Sequence, residues 1–364
     1  MKMLYLADIR LPTEKAHGLQ IMKTCEAYAS AGHEVTLVVP WRRNALRDDP
    51  FEYYQCKNNF RIVRIFSIDV PLGKFGYLLE RFVFAVSASL YVALHRSDIV
   101  YSREAFIFAL MNVPWVRFVW ESHTGEWDWA ARATARAAFR VVVLTHAAKN
   151  WYVGKGIDAR KLVVAPDGID LAQFAHPESK SAARTRLGLP QDKKIALYIG
   201  RVDGWKGIET FAEAAKLAPE ILFVAIGGER EQVEAFRTHY PTVTWLGYRP
   251  YAQLANNQAA ADCLVLPNTA KDQISLIFTS PLKLFTYMAS LRPIVASDVP
   301  SIREVLDDSS CYFVTPDSPE SLAQGIQNAL TDDSESRARA ERAFAKVRAY
   351  SWDERVRAIL HALV

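Results

Sequence analysis

The feature that most constrains this chain is an alternation of short β-branched runs with helical patterns, which occurs twice along its length. Continuous apolar strands joined by helices are typical of a parallel sheet covered on both faces. The first half therefore predicts a doubly wound α/β domain. Its seven predicted strands are residues 3–9, 34–39, 61–65, 98–101, 115–120, 141–144 and 162–165.

The alternation restarts after a polar stretch at residues 176–185, and 364 residues are more than one core usually holds. We predict two doubly wound Rossmann-like α/β domains facing each other across a cleft. They cover residues 1–172 and 173–345, and a C-terminal helix at 346–364 crosses back onto the first domain. The predicted strands of the second domain are 195–199, 222–226, 243–246, 263–266 and 294–296.

Composition and charge exclude several classes of protein. Half of the residues are hydrophobic and 23% are charged, which is typical of a soluble globular chain. The net charge of +4 is too small to predict nucleic-acid binding. The basic excess lies in the first half, where residues 1–172 carry 22 Lys and Arg against 17 Asp and Glu.

Targeting and redox signals favour a cytoplasmic protein. The four cysteines lack paired spacing, so neither a zinc site nor a disulfide framework is predicted, and a reducing compartment is favoured. The first ten residues lack the pattern of a signal peptide. The most apolar segment, residues 77–94, contains Glu80 and Arg81, which favours a buried core helix over a membrane span.

Two strand-to-helix loops of the second half are suited to bind anions, because ligands bind at the carboxyl ends of parallel strands. Gly200 and Arg201 follow one strand, and Lys206 opens the next helix, so two cations lie beside free helix N–H donors. A diphosphate fits this charge and size, and a solvated basic loop is the alternative. No Walker loop is present.

The second loop precedes a helix for which Ser280 is the predicted N-cap and Pro281 the first residue. The backbone N–H groups of Leu282 and Lys283, with the Lys283 side chain, then form another anion-binding terminus. A surface lysine is the alternative for Lys283. In the first half, His123 follows a strand, although a lone histidine is more often structural.

Four segments, taken together, resemble the family 4 glycosyltransferases, which have the two-domain GT-B fold. The resemblance covers most of the chain as far as residue 306. The segments are His17-Gly-Leu-Gln with Ala31-Gly-His-Glu-Val; Val142-Val-Leu-Thr-His with Ala165-Pro-Asp-Gly-Ile-Asp; Gly200-Arg with Lys206-Gly; and Ser280-Pro-Leu-Lys with Arg292-Pro-Ile-Val-Ala-Ser-Asp.

The resemblance implies a retaining transfer of sugar from a nucleoside-diphosphate donor to a glycan or lipid-linked acceptor. It implies that Arg201 and Lys206 grip the diphosphate and that His123 contacts a hydroxyl of the donor sugar. It further assigns donor-binding positions to Gly18, Gly200, Tyr248, Leu282 and Lys283. No metal and no cofactor beyond the donor are expected.

The sequence departs from the family pattern where two glutamates are often found, because Phe278 and Thr286 stand at those positions. Thr286 is predicted to hydrogen-bond a ribose hydroxyl, and Asp272 is a candidate for a sugar contact. The loss of both glutamates keeps open a catalytically degenerate protein that binds nucleotide or glycan and supports a partner enzyme. A nucleotide-sugar 2-epimerase is a second alternative, although no acid/base cluster is evident.

A basic and aromatic segment at residues 41–66 is the candidate acceptor or membrane surface. Interleaved cations and aromatic rings suit an anionic bilayer or a sugar-lipid diphosphate, and a solvated loop is the alternative. We therefore expect peripheral binding to the inner face of a cytoplasmic membrane. The basic members are Arg42, Arg43, Arg47, Lys57, Arg61 and Arg64, and the aromatic members are Trp41, Phe51, Tyr53, Tyr54, Phe60 and Phe66.

Overall fold

The computed structural model describes residues 1–70, 73–111, 115–202 and 204–363. They form two compact units. Unit 1 contains Met1–Asp167 and the segment from Trp352 onwards, and unit 2 contains Gly168–Ser351. Each unit is built on its own parallel sheet, so the predicted α/β class is confirmed.

The described residues form a seven-stranded sheet in unit 1 and a six-stranded sheet in unit 2. The spatial orders are β3-β2-β1-β4-β5-β6-β7 and β10-β9-β8-β11-β12-β13. The strands are β1 Lys2–Leu6, β2 Glu34–Pro40, β3 Arg61–Ile65, β4 Ile99–Ser102, β5 Arg117–Ser122, β6 Arg140–Val143, β7 Leu162–Val164, β8 Ile195–Ile199, β9 Leu222–Ile226, β10 Val243–Trp245, β11 Cys263–Leu266, β12 Ile294–Ser297 and β13 Tyr312–Val314.

Helices connect the strands and cover the sheets. The α-helices are α1 Ala16–Ser30, α2 Pro50–Tyr53, α3 Gly73–Leu94, α4 Ala105–Leu110, α5 Trp129–Ala137, α6 His146–Gly154, α7 Lys180–Leu187, α8 Ile208–Leu217, α9 Arg230–His239, α10 Leu254–Ala259, α11 Leu282–Ala289, α12 Pro300–Arg303, α13 Pro319–Thr331, α14 Asp333–Val347 and α15 Trp352–Leu363. A π-helical turn, Ile274–Phe278, precedes α11.

The apolar strands are continuous because both faces of each sheet are buried. In β8, Leu197 belongs to one core of unit 2 and the adjacent Tyr198 belongs to the core on the other face. Successive side chains of a strand point to opposite faces, so an apolar residue is required at every position. This explains why β8 and β9 could be predicted residue by residue.

The boundary between the units lies at Asp167, five residues before the predicted one. Ile169 and Phe174 both pack into a core of unit 2, and Ile169 pairs with Ser351 in an isolated bridge. At the other end, Val347 is still in that core, so the segment that joins unit 1 begins at Trp352 rather than at residue 346. Burial of these apolar side chains decides where the chain changes units.

Helix α3 departs from its predicted environment. It is helical as expected, but the prediction of a buried core helix is wrong, because only 28% of its most apolar window is buried. By length and composition alone, α3 could also cross a membrane. Its exposed apolar face is therefore a surface feature of unit 1.

Candidate active site

The topological switch point of unit 2 lies between β8 and β11. From β8 the chain proceeds outward to β9 and β10, and it then returns to β11 on the other side of β8. The loops that follow β8 and β11 therefore diverge from neighbouring strand ends. This is the position where ligands bind in open α/β sheets.

Gly207 brings these two loops into backbone contact. Its φ is +71°, and a Cβ at this position would lie 1.5 Å from the carbonyl oxygen of Pro267, which follows β11. Any side chain would force the loops apart, so glycine is required here. The short 3-10 turn Gly204–Lys206 is thereby held against the end of β11.

Lys283 lies at the start of α11 with a buried ammonium group. Its Nζ atom has no hydrogen-bond partner among the described residues and lies 4.5 Å from the ring centroid of Tyr198. Burial lowers the pKa of Lys283 well below its ordinary value, and the nearby charge of Lys206 lowers it further. Two lysines that repel each other at a switch point form a site that an anion would stabilise.

Tyr198 links this lysine to the loop after β8. Its hydroxyl donates a hydrogen bond of 2.7 Å to the carbonyl oxygen of Arg201, while its ring faces Lys283. The Arg201 side chain is exposed, and the Lys206 ammonium lies 5.0 Å from the ring centroid of Trp205. The backbone N–H of Gly200 donates to the Ile226 carbonyl, which fixes the start of the loop.

The helix that carries Lys283 begins one residue later than predicted. Pro281, rather than Ser280, occupies the N-cap position, and no side chain caps the helix. The predicted Ser280 cap is therefore wrong, because Pro281 has an extended ψ of 116°. Leu282 and Lys283 are consequently the first helical residues, and helix geometry leaves their N–H groups without intrahelical acceptors.

The two positions that replace the family glutamates lie in the interior of unit 2. Phe278 is buried, and Thr286 is only 4% exposed. The Thr286 hydroxyl donates to the Lys283 carbonyl and accepts from the Gln258 amide, at 2.9 Å each. These internal bonds argue against the predicted ribose contact. Asp272 caps the turn at Ile274, with a hydrogen bond of 2.7 Å.

Tyr248 follows the edge strand β10 and is 38% exposed. The preceding Gly247 has a φ of +67°, and its carbonyl oxygen accepts a hydrogen bond from the N–H of Gly227. Tyr248 thus lies at the carboxyl end of the sheet, and its predicted role in the donor site, beside the nucleotide base, stays a prediction.

Unit 1 contains a buried carboxylate, Glu121, at the end of β5. Gln20 Nε2 donates to its Oε1 at 2.7 Å, and the Tyr101 hydroxyl donates to its Oε2 in a short hydrogen bond. Arg355 of α15 donates to Oε1 at 2.7 Å. Burial raises the pKa of Glu121, but Arg355 and the bond from His123 outweigh it, and the pKa lies well below its ordinary value. We call these five residues the Glu121 network.

His123 is oriented by this carboxylate. Its Nε2 lies 2.5 Å from Glu121 Oε1, which places the proton on Nε2 and leaves Nδ1 as an acceptor. Burial and the charge of Arg103 outweigh Glu121 and lower the pKa of His123 to about 4. At neutral pH the imidazole is therefore uncharged, and Nδ1 can accept a hydrogen bond from a hydroxyl group.

The sequence held a signal for Glu121 that the prediction did not use. Residues i and i+2 of a strand share a face, so the position two residues before His123 was a candidate partner. No local signal pointed to Arg355, which lies 234 residues from Glu121 in the chain.

Gly18 lies in the first turn of α1 against Tyr54. A Cβ at Gly18 would lie 2.1 Å from the Tyr54 hydroxyl and 2.6 Å from Thr13 Cγ2. That hydroxyl accepts from the N–H of Thr13 and donates to its carbonyl, at 2.7 Å each. The packing of Tyr54 accounts for the glycine, and the predicted approach of Gly18 to a phosphate is not needed to explain it.

The segment 41–66 is less uniform than its composition suggested. Trp41 and Phe66 are exposed, but Tyr54 and Phe60 are buried. The Arg42 side chain is only 5% exposed and forms an ion pair of 2.9 Å with Asp8. Arg43, Arg47, Lys57, Arg61 and Arg64 are exposed, so the basic part of the segment lies at the surface while two of its aromatic rings lie in the interior of unit 1. Its role as an acceptor or membrane surface stays a prediction.

In the described part of the chain, no group of three or more His, Cys, Asp or Glu residues is placed to hold a metal ion. Metal independence stays a prediction. The cations near the switch point of unit 2 are Arg201, Lys206 and Lys283.

Stability should depend on pH through His123. The unfolded imidazole has a pKa near 6.5 and the folded one about 4, so the folded state resists protonation. The contribution of the neutral His123 imidazole to the free energy of unfolding is therefore fully present above pH 6.5. It falls by about 3 kcal/mol as the pH falls to 4. Denaturation of His123→Asn from pH 7 to pH 4 should show a correspondingly shallower loss.

The control is His361→Asn, which changes an exposed histidine of α15 and should leave the pH profile unaltered. Asp167 acts with the opposite sign, because burial raises its pKa to about 7 and the folded state gains stability as it is protonated. Asp167 is present in the wild type and in His123→Asn alike, so its contribution to the pH dependence cancels when the two are compared. Parallel profiles for His123→Asn and the wild type would contradict the prediction.

Two Rossmann-like parallel α/β units are the architecture of the GT-B fold, which this chain shares. The chain matches the family model Glycosyltransferase Family 4 at residues 18–173 and the model Glycosyl transferases group 1 at residues 193–332. It belongs to the family 4 glycosyltransferases. The resemblance seen in the sequence is thus confirmed.

Relatives and solved structures agree with this assignment. The chain is 29% identical to a D-inositol 3-phosphate glycosyltransferase of Xylanimonas cellulosilytica, over 56% of this chain and 51% of that protein. It is 28% identical to a phosphatidyl-myo-inositol mannosyltransferase of Mycobacterium tuberculosis, over 58% and 55%. The chain spans about half the length of these relatives.

The fold is similar to that of Anabaena HepE in complex with UDP and glucose, with a TM-score of 0.79 and 18% identity over 99% of each chain. At this identity, the likeness concerns the fold alone.

Proposed function

We propose that this protein is a retaining, metal-independent glycosyltransferase that uses a nucleoside-diphosphate sugar. The observation that carries the proposal is the buried Lys283 ammonium beside Lys206 at the switch point of unit 2. A diphosphate would supply negative charge beside Lys283, whose Nζ atom has no hydrogen-bond partner among the described residues. Family membership and the UDP complex of a structural neighbour support the same donor class.

The proposed role of the cations follows from the charge that develops during sugar transfer. Cleavage of the glycosidic bond leaves negative charge on the departing nucleoside diphosphate, and Arg201, Lys206 and Lys283 would stabilise it electrostatically. The N–H groups of Leu282 and Lys283 would add the donors of a helix N-terminus. In unit 1, neutral His123 would accept a hydrogen bond from a substrate hydroxyl through Nδ1, held in place by Glu121.

The acceptor class is proposed from the relatives. Their names include inositol phosphate and phosphatidylinositol glycosyltransferases, which favours a glycan or lipid-linked acceptor and a role in polysaccharide or glycolipid synthesis. Such an acceptor would place the protein in the cytoplasm, peripherally on the inner face of the membrane.

Calorimetry with UDP, GDP and ADP tests the donor site. Arg201→Ala and Lys206→Ala each remove a charge-assisted contact worth about 1.5–3 kcal/mol, so binding should weaken about tenfold to a hundredfold. Lys216→Ala, at an exposed lysine of α8, is the matched control and should bind as the wild type does. Unchanged affinity in both site variants would refute the assignment.

A degenerate protein that binds nucleotide or glycan without turnover is the second candidate. It is favoured by the interior positions of Phe278 and Thr286, since neither can make the contacts of an exposed carboxylate. Incubation with radiolabelled nucleotide-sugars and a lipid extract distinguishes the two. Product formation that is lost in Lys206→Ala supports the enzyme, and nucleotide binding without any product supports the degenerate protein.

A further inference from the structure

Helix α3 of unit 1 presents two stripes with opposite environments. One stripe is buried against the unit, with residues spaced by four, namely Gly76, Glu80, Phe84, Ala88 and Val92. The other stripe faces outward and is apolar. We call it the α3 outer stripe, and it consists of Phe75, Tyr77, Leu78, Leu79, Phe82, Val86, Leu90 and Leu94.

The α3 outer stripe gathers many of the exposed apolar side chains of this protein on one helix. Its eight side chains are between 37% and 71% exposed, and they are eight of the eighteen large apolar side chains that are most exposed among the described residues. Single exposed apolar residues are ordinary, but a contiguous patch marks an interaction surface. The α3 outer stripe therefore has the size and composition of an interaction surface.

The geometry of the fold decides how α3 could meet a bilayer. The helix joins β3 to β4, which are parallel strands of one sheet, and it packs on α4 and β3. If α3 crossed the bilayer, the strands and the charged groups behind it would enter the hydrocarbon at high cost. The helix can instead lie in the interfacial plane with its outer stripe in the lipid.

The charged residues on and beside α3 favour a membrane surface with anionic lipids. Its one carboxylate, Glu80, is 7% exposed and accepts a hydrogen bond of 2.9 Å from the N–H of Val70. Lys74 is exposed beside Phe75, and Arg96 is exposed just beyond the helix. The exposed carboxylates nearest in the chain are Asp69, which pairs with Arg10 at 2.7 Å, and Asp98, which accepts from the N–H of Lys2. Apolar residues bounded by cations complement anionic lipids.

Arg81 adds a cation at the edge of the stripe. Its guanidinium lies 5.5 Å from the ring centroid of Tyr77 and 5.0 Å from that of Phe106 on α4, and it pairs with Glu104 at 3.6 Å. A cation packed on aromatic rings suits the headgroup level of a bilayer, where both ring and charge are tolerated.

We infer that the α3 outer stripe is the surface by which this protein binds an anionic lipid bilayer. The inference rests on the proposed function, because a lipid-linked acceptor requires access to the membrane, and it replaces segment 41–66 as the main contact. The helix lies on the bilayer rather than across it, with Lys74 and Arg96 at headgroup level.

Vesicle flotation of the full chain tests the inference. We expect the wild type to float with vesicles of 70% phosphatidylcholine and 30% phosphatidylglycerol, and to stay in solution with phosphatidylcholine alone. Leu78→Glu/Val86→Glu places two carboxylates in the stripe and should lower the bound fraction at least tenfold. The matched control, Val153→Glu/Leu217→Glu, makes the same changes at exposed positions of α6 and α8 and should float as the wild type does.

Several outcomes would overturn the inference. A wild type that stays in solution with both vesicles would do so, as would equal flotation of both double variants. Light scattering tests the alternative that the α3 outer stripe binds a second copy of this chain. That alternative would hold if the wild type is a dimer that does not float and Leu78→Glu/Val86→Glu is a monomer.

Calorimetry with UDP keeps this test separate from the proposed function. Leu78→Glu/Val86→Glu should bind UDP with wild-type affinity, because the proposed donor site lies in unit 2 and the substitutions lie in unit 1. Hydrogen exchange of peptides from β5 and β6 checks that unit 1 of the variant is still folded. Flotation without any UDP binding by the wild type would retain the membrane surface and refute the donor site. UDP binding without flotation would retain the donor site and refute the membrane surface.

Discussion

Replacement of Arg355 by methionine is expected to lower the free energy of unfolding of unit 1 by about 3–5 kcal/mol. The Arg355 side chain is 1% exposed, and its Nη2 lies 2.7 Å from Oε1 of the fully buried Glu121. Methionine keeps most of the volume and removes the charge, so Glu121 is left as a buried anion without its cation. Removing one partner of a buried pair costs far more than the pair itself is worth.

Two further variants make this prediction specific. In Glu121→Gln/Arg355→Met both charges are absent, and most of the lost stability should return. Arg357→Met removes an exposed arginine of the same helix, paired with Glu354, and should change stability by less than about 0.5 kcal/mol.

Hydrogen exchange of peptides from β5 and β6 across a urea series reports on unit 1 separately from unit 2. An equal loss in Arg355→Met and in the double variant would contradict the charge argument. It would instead assign the effect of Arg355 to packing.

The second large effect is expected at Lys283, where stability and affinity should change in opposite directions. Lys283→Met removes a buried amino group that has no hydrogen-bond partner among the described residues, so unit 2 should become more stable by about 1–3 kcal/mol. The same change removes a cation proposed to contact the diphosphate. Nucleotide binding should weaken by about 3 kcal/mol, or a hundredfold and more.

Thermal denaturation without nucleotide and calorimetry with UDP measure the two effects separately. Lys216→Met, at an exposed lysine of the same unit, should alter neither quantity appreciably. A Lys283→Met protein that is less stable and binds UDP normally would show that the lysine is structural. The opposite signs are informative because a general folding defect would lower stability and affinity together.

Much of the fold was accessible from local patterns. Strands β8 and β9 were predicted at their observed bounds, because each is a continuous apolar run between polar residues. Strand β13 was missed, since it has three residues at the edge of the sheet and only one of them is buried. A strand this short shows too few alternations to be distinguished from a loop.

The residues of the candidate site in unit 2 differ in how far the sequence alone could predict their surroundings. Lys206 and Lys283 were proposed from a loop motif and a helix start, which are local features, and the fold brings both lysines to one switch point. Their contact with a nucleotide stays a prediction. Thr286 was placed in the donor site by position alone. The structure instead engages its hydroxyl with Gln258, a contact that depends on how α10 and α11 pack.

Local periodicity was enough to establish two parallel α/β sheets and the loops that bear cations, because strand burial and helix starts depend on neighbouring residues. The Glu121 network and the exposure of α3 depended on the folded chain. Arg355 meets Glu121 across 234 positions, and no local pattern encodes such a pairing. Apolar composition likewise cannot tell a helix face buried in protein from one that faces outward, since both environments favour the same residues.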